Sequence, residues 1–174
     1  MGSYATSYIG PTTSASATRV ADAINTSGKS ALIGQTEGVI FADVVTIGSD
    51  NDYVTILQLF GNGNNRLAIG LNAGTTNIFG YLNAGGGVQF YNASTQSAGR
   101  HKIAFAYKSG EMALYIDGVS AFTSTSTFTF GVTLDTIFMN NLNGLSEIGS
   151  FKVNESVIFK TRLTNAELAS LTTI

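Results

Sequence analysis

The sequence predicts an all-β protein, an antiparallel two-sheet β-sandwich with one short helix near the C-terminus. Three observations carry this expectation. The chain is rich in Thr, Ser, Asn, Val, Ile and Phe, with 20 Gly, one Pro and only 11% charged residues. That mixture favours strands and tight turns over helices. Apolar runs recur at intervals of about 8–12 residues between Gly- and Asn-rich breaks, the rhythm of a sandwich. Finally, one stretch specifies its own hairpin register.

That stretch is Arg100 to Gly118, RHKIAFAYKSGEMALYIDG. With Ser109-Gly110 as a two-residue turn, Tyr107 falls opposite Met112, Phe105 opposite Leu114 and Ile103 opposite Ile116. The other face pairs Lys108 with Glu111, Ala106 with Ala113, Ala104 with Tyr115 and Lys102 with Asp117. Apolar pairs on one side and opposite charges at both ends of the other are how an antiparallel pair fixes its register.

The remaining elements follow in order. Tyr4–Ala23 is Thr/Ser-rich, with Pro11 in a turn and Tyr8-Ile9 as a short edge strand. Val39–Ile47 is apolar on both faces, as a central strand would be. Ser49–Asp52 makes a turn into a long strand, Tyr53–Phe60; Gly61–Asn65 breaks it and Arg66–Leu71 returns. Strands are expected at Ile78–Leu82 and Val88–Tyr91, around Gly85-Gly86-Gly87. After the hairpin come Phe128–Val132, Thr136–Met139 and Phe151–Phe159. The single helix begins at Thr164, an N-cap with Glu167 at N3, followed by Leu168 and Leu171. No composition shift divides residues 1–174, so one domain is expected, large enough to bury about 70% of its unfolded surface.

Composition also narrows the function classes. The net charge is −2, and the nine basic residues are scattered with no run to neutralise a phosphate backbone, which argues against nucleic acid. With no Cys, disulfides, thiolate metal sites and cysteine catalysis are excluded. A surface polar through hydroxyls and amides, without disulfides, points toward a bacterial or phage protein folded in a reducing cytoplasm. No apolar run approaches the ~20 residues of a membrane span, and no basic-then-apolar leader is present. Met1-Gly2-Ser3 reads as an appended start, which would make the chain a module cut from a longer protein.

Three segments together resemble the concanavalin A-like lectin/glucanase superfamily, specifically its laminin-G-like (LamG, pentraxin-like) modules. The first is the hairpin, His101 followed by I-A-F-A-Y, a tight turn and M-A-L-Y-I-D-G-V. The second is Glu155–Leu168, a strand running into Arg162-Leu163-Thr164-Asn165-Ala166-Glu167-Leu168, similar to the closing "R-L-(S/T)-x-x-E-(L/I)" pattern. The third is Ser7–Thr13 with Ala17–Asp22, similar to an opening found on such modules in phage virion proteins. It departs from that opening by a Gly before Pro11 and by Val20. The resemblance implies a jelly-roll sandwich and a place in a virion, as a tail-fibre, baseplate or capsid-decoration domain.

Candidate chemistry divides three ways. Retaining glycoside hydrolysis needs two carboxyls roughly 5–5.5 Å apart; the E-x-D-x-x-E run of glucanase relatives is absent, and Glu111 and Asp117 sit about 20 Å apart along one strand. His101, the only histidine, has no nucleophile elbow to serve, and the Gly-rich turns lack the Lys and helix of a phosphate loop. No catalytic residue is assigned. For calcium, Asp50, Asn51 and Asp52 gather three oxygen-bearing side chains in one turn, and Asn140, Asn141 and Asn143 could add to them; the same residue types are ordinary turn formers. For carbohydrate, the aromatic loop candidates are Tyr81 and Tyr91, with Asn83, Gln89 and Asn92 as polar neighbours, although there is no Trp to stack.

The sequence therefore leads to two expectations of different class. One is a non-enzymatic virion module for adhesion to bacterial-surface or mucus glycans, with Ca²⁺ as an optional cofactor and avidity supplied by repetition, including homo-oligomers. The other is a purely structural domain that binds only other virion proteins, which would show a large exposed apolar patch.

Overall fold

The computed structural model describes residues 24–46, 53–139 and 151–174. Eleven strands and one α-helix are found among them, in the order β1 (Ile24–Thr26), β2 (Glu37–Thr46), β3 (Val54–Asn62), β4 (Asn65–Leu71), β5 (Ile78–Ala84), β6 (Gly87–Ser94), β7 (Gly99–Lys108), β8 (Met112–Ile116), β9 (Val119–Ser124), β10 (Thr136–Met139), β11 (Phe151–Phe159) and α1 (Asn165–Thr172). They form two antiparallel sheets, β1-β10-β3-β4-β5-β6 and β11-β2-β7-β8-β9. The fold is the expected two-sheet jelly-roll sandwich with a short C-terminal helix.

The β7–β8 hairpin has the register its sequence dictates: Ile103 faces Ile116, Ala104 Tyr115, Phe105 Leu114 and Ala106 Ala113. Gly110 takes the left-handed turn position (φ 83°) that a side chain would resist, and the Lys108–Glu111 pair closes at 3.4 Å. The second charge pair does not form. Asp117 instead accepts from the Lys102 amide at 2.9 Å and holds His101 Nδ1 at 2.6 Å, while the Lys102 ammonium reaches the Thr173 carbonyl at 2.8 Å. The reason is the turn: Asp117 adopts φ 51° and Gly118 φ 82°, which folds the chain straight into β9 and curls the carboxylate back on its own hairpin.

Phe128–Val132 is not a strand. Its backbone amides go to side chains instead of a neighbouring ladder: Phe128 N–H to Ser109 Oγ (3.0 Å), Gly131 N–H to Asn65 Oδ1 (2.7 Å), and just beyond, Leu134 N–H to Gln35 Oε1 (2.8 Å). The segment is a loop tied across one end of the sandwich. The break expected over Gly61–Asn65 is shorter than that, since β3 runs to Asn62 and β4 resumes at Asn65.

Leu57, Leu59, Leu67, Ile69, Leu82 and Phe90 from one sheet meet Ile40, Ile103, Phe105, Tyr107 and Leu114 from the other in a common core. The outer faces differ. On the five-stranded sheet, Val39, Phe41, Ala104, Ala106, Ala113 and Tyr115 are covered by fully buried Leu168 of α1. Three alanines there leave room for the helix. α1 starts with the expected capping box: the Thr164 amide donates to Glu167 Oε2 at 2.7 Å, and the Glu167 amide to Thr164 Oγ1 at 3.3 Å. Among the described residues no helix is long and apolar enough to cross a membrane.

One buried charge anchors β2 to its neighbours. Asp43 receives Arg100 through two bonds (Nε–Oδ1 3.0 Å, Nη2–Oδ2 2.6 Å) and Asn154 Nδ2 at 3.0 Å. The Arg100 guanidinium holds the Asp43 carboxyl below its ordinary range, against the opposing effect of burial. A carboxyl depressed on folding contributes stability that is present above its unfolded value, near 3.9, and lost as pH falls through the lower folded value. Urea midpoints measured from pH 6 down to pH 2 should therefore drop below about pH 4. Arg100→Met should lower the pH 6 midpoint and shrink that acid-side drop; an unchanged drop would show that Asp43 contributes nothing to it.

Candidate functional site

Among the described residues no helix lies over the outer face of the six-stranded sheet, and several of its outward positions are aromatic. Successive registers place Phe79 across from Gly70, Tyr81 across from Ala68 on one side and Tyr91 on the other, and Arg66 across from Asn83. Tyr53 stands at the start of β3, edge-on to Phe79 (6.4 Å, 72°). Tyr91 leans on Phe79 at 5.9 Å and meets Tyr81 edge-on at 6.3 Å. Buried Phe79 makes a floor, and half-exposed Tyr53 and Tyr91 make walls. The cleft between them has a volume of about 200 Å³, with Thr55, Arg66 and Ala68 completing the lining.

Small residues shape the cleft. Ala68 on β4 lines it, and Gly70 lets the Phe79 ring lie down on β4 as its floor, flanked by aromatics on β5 and β6 and at the head of β3. Two features keep it polar. The Arg66 guanidinium lies over the Tyr81 ring, 5.3 Å from its centroid. The Tyr91 hydroxyl donates to Asn72 Oδ1 at 2.8 Å, and burial together with the neighbouring Tyr53 raises the Tyr91 phenol above the usual tyrosine range. The hydroxyl therefore stays protonated at any ordinary pH.

Several polar atoms around the cleft are buried without a protein partner: Thr55 Oγ1, Arg66 Nε and Asn83 Oδ1. Buried polar atoms are almost always paired, so three on one sheet face mark a place completed by something else. Two larger grooves lack this property. The one of about 520 Å³ beside the 128–133 loop has Gln35 bonded to Ile33, Leu134 and Leu134 again, through both amide atoms. The one of about 540 Å³ beside α1 has Arg162 already bonded to the Glu111 and Leu163 carbonyls and to Asn165 Oδ1.

No family model and no curated protein sequence matches the chain. Solved structures do match in three dimensions. A CBM40 module of Ruminococcus gnavus IT-sialidase bound to α2,3-sialyllactose superposes with TM-score 0.60 at 14% identity, covering 81% of this chain and 84% of the module. The binding domain of botulinum neurotoxin DC in complex with SialylT gives 0.66 at 13% identity, over 86% of this chain and 38% of that one. Trypanosoma rangeli sialidase gives 0.60 at 16% identity, and there the chain spans only 22% of the enzyme's length. The likeness is one of fold. It is a sandwich shared with carbohydrate-binding modules, matched almost end to end in the CBM40 case.

The structure brings together some of the sequence-derived residues and separates others. Tyr81 and Tyr91 are directly paired, but on strands β5 and β6, not in loops. The correction has a simple cause: the glycine run makes a tight turn only at Gly85-Gly86, so the flanking residues stay in the ladder. Asn83, mostly buried, donates to the Tyr81 hydroxyl at 3.2 Å. Gln89 is the extra residue of a bulge, and its amide turns to the Gly87 carbonyl at 3.4 Å, away from the cleft. The backbone of Asn92 pairs with Gly80. Asp50, Asn51 and Asp52 lie outside the described residues, as do Asn140, Asn141 and Asn143 and the Ser7–Asp22 opening. Among the described residues no group of three or more His, Cys, Asp or Glu could hold a metal.

Arg66, Tyr53, Thr55 and Phe79 were absent from the sequence-derived site. A signal for them exists in retrospect. Arg66 follows Asn65 at the start of β4, whose remainder, LAIGL, is apolar, and it alternates in phase with Ala68 and Gly70. Among the described residues it faces no carboxylate.

Proposed function

We propose that the domain is a non-catalytic, laminin-G-like glycan-binding module of a phage particle, and that it seats a sugar ring in the tyrosine cleft of the six-stranded sheet. The observation that carries this reading is an open aromatic cleft walled by Tyr53, Phe79, Tyr81 and Tyr91, around which Thr55 Oγ1, Arg66 Nε and Asn83 Oδ1 have no protein partner. A pyranose presents an apolar face for Tyr53, Phe79 or Tyr91 and hydroxyls for donors and acceptors at the edge. The Arg66 guanidinium, which lines the cleft over the Tyr81 ring, supplies N–H donors beside that apolar face. The volume is below the ~300–1,000 Å³ of drug-sized sites and suits a single ring.

Catalysis has little support in this cleft. Among the described residues its lining contains no Asp, Glu or His, whereas hydrolysis by the common route needs a carboxyl pair. A tyrosine nucleophile would need its phenol lowered, and Tyr91 is shifted the other way. Virion display rests on the resemblance of the Ser7–Asp22 opening. Repetition on a particle, through homo-oligomeric fibres or decorated capsids, would convert a weak single site into firm adhesion. The competing reading, attachment only to other virion proteins, predicts a contiguous apolar patch. Among the described residues the exposed large apolar side chains are Leu32, Tyr53, Val88, Tyr91, Val119, Val132 and Ile174, two of which wall the cleft.

Calorimetric titration against a panel of neutral and acidic oligosaccharides, with calcium and with a chelator, tests the proposal. Binding should survive the chelator. Tyr81→Ala and Tyr91→Ala should each weaken it by about tenfold or more while leaving the thermal midpoint within a few degrees. If both variants bind normally, the site is not this cleft. If the chelator abolishes binding, attention moves to Asp50–Asp52.

A further inference from the structure

We infer that the cleft selects a carboxylate-bearing sugar, a glycan ending in or built from an acidic residue, and that Arg66 is the specificity-determining side chain. The inference rests on the glycan reading above and deepens it. Arg66 brings a permanent positive charge into a cleft lined otherwise by tyrosines, Phe79, Thr55 and Ala68. Every other arginine whose surroundings are described has an oxygen partner: Arg100 pairs with Asp43, and Arg162 bonds two carbonyls and Asn165. Arg66 has only the face of Tyr81, and its Nε–H is buried with no acceptor.

The guanidinium is partly buried, and among the described residues no anion faces it. A planar carboxylate is the partner whose two oxygens match the guanidinium fork. Among the described residues no acidic side chain lines the cleft to compete for it. The Tyr91 hydroxyl on the opposite wall gives its proton to Asn72 Oδ1 and brings no negative charge to the cleft.

Matched pairs of probes read this directly. α2,3-Sialyllactose is compared with lactose, and an oligogalacturonate with its methyl ester, so that a nonulosonic and a uronic source of the carboxylate are tested separately. The wild-type domain should prefer the acidic member of at least one pair by about 10–100-fold, the scale of a charge-assisted hydrogen-bond pair. In Arg66→Gln that ratio should fall to near one, and Arg66→Lys, which keeps the charge but not the fork, should fall between. Thermal melts of each variant verify that it is folded. If glycans bind with no preference for the acidic member, or if Arg66→Gln keeps the preference, the carboxylate inference is wrong while the glycan reading stands. If no member of either pair binds and the wider panel is also silent, both fall together.

Discussion

Phe105→Ala should destabilise the domain by about 4 kcal/mol, the middle of the range for truncating a buried aromatic. Phe105 projects from β7 of the five-stranded sheet and is fully buried. Its ring stacks against Phe90 of β6 at 4.8 Å, and its edge lies close to where a side chain at Gly80 of β5 would stand. One side chain thus ties the two sheets together near their centre. Its removal forfeits the transfer free energy of the ring and leaves a hole that the backbones of two sheets cannot close around. Against a total stability of 5–15 kcal/mol typical for such domains, the loss is large. Urea denaturation should show a lower midpoint at an unchanged slope, with Phe105→Leu losing only about 1–1.5 kcal/mol because volume is nearly kept. A loss under 1 kcal/mol for the alanine variant would mean that the sheets do not meet at this ring.

The same hairpin shows what was legible in the sequence and what was not. Its register could be read because apolar and charged positions alternate strictly and a slip of one residue would invert both faces. The fate of Asp117 could not be read from strand pairing, because its backbone leaves the strand conformation and turns the carboxylate to His101. The Asp117-Gly118 pair is itself a strong hairpin signal, and following it would have found β9, whose half-polar VSAFTS stretch hid the strand. Phe128–Val132 misled in the opposite direction: its alternating phenylalanines pack on the core from a loop whose hydrogen bonds come from Ser109 and Asn65. Such side-chain anchors are invisible to periodicity.

The site was legible only in part, for a related reason. Tyr81 and Tyr91 drew notice as aromatics beside glycines and amides. Their actual value is that β5 and β6 set them opposite one another on the uncovered face. Which face is uncovered depends on where α1 lands, and that is decided by the alanines of β7 and β8 far along the chain. Arg66 and Tyr53 come to the cleft only through strand order β3-β4-β5-β6. Long-range order of this kind is a tertiary fact.

Gly70→Ala should damage both the fold and the site. A Cβ at Gly70 would stand 2.1 Å from the Val54 carbonyl oxygen and 2.6 Å from Phe79 Cζ. A rotamer change can relieve the second contact but not the first, since the oxygen belongs to the β3 backbone beside the bulge at Thr55–Leu57. Either β3 and β4 separate there or Phe79 leaves the cleft floor. Overpacking of this kind costs about 1–3 kcal/mol, with the upper end expected against a backbone atom. Because Gly70 faces Phe79 and Thr55 directly, the disturbance falls on the tyrosine cleft and not on the α1 side. The variant, titrated at a temperature where it remains folded, should bind the glycan panel at least about tenfold more weakly. Gly110→Ala, in the hairpin turn with nothing near its Cβ, should lose stability through its φ of 83° alone and leave binding intact. Equal loss of binding in both variants would mean that general destabilisation, not the floor of the cleft, governs the site.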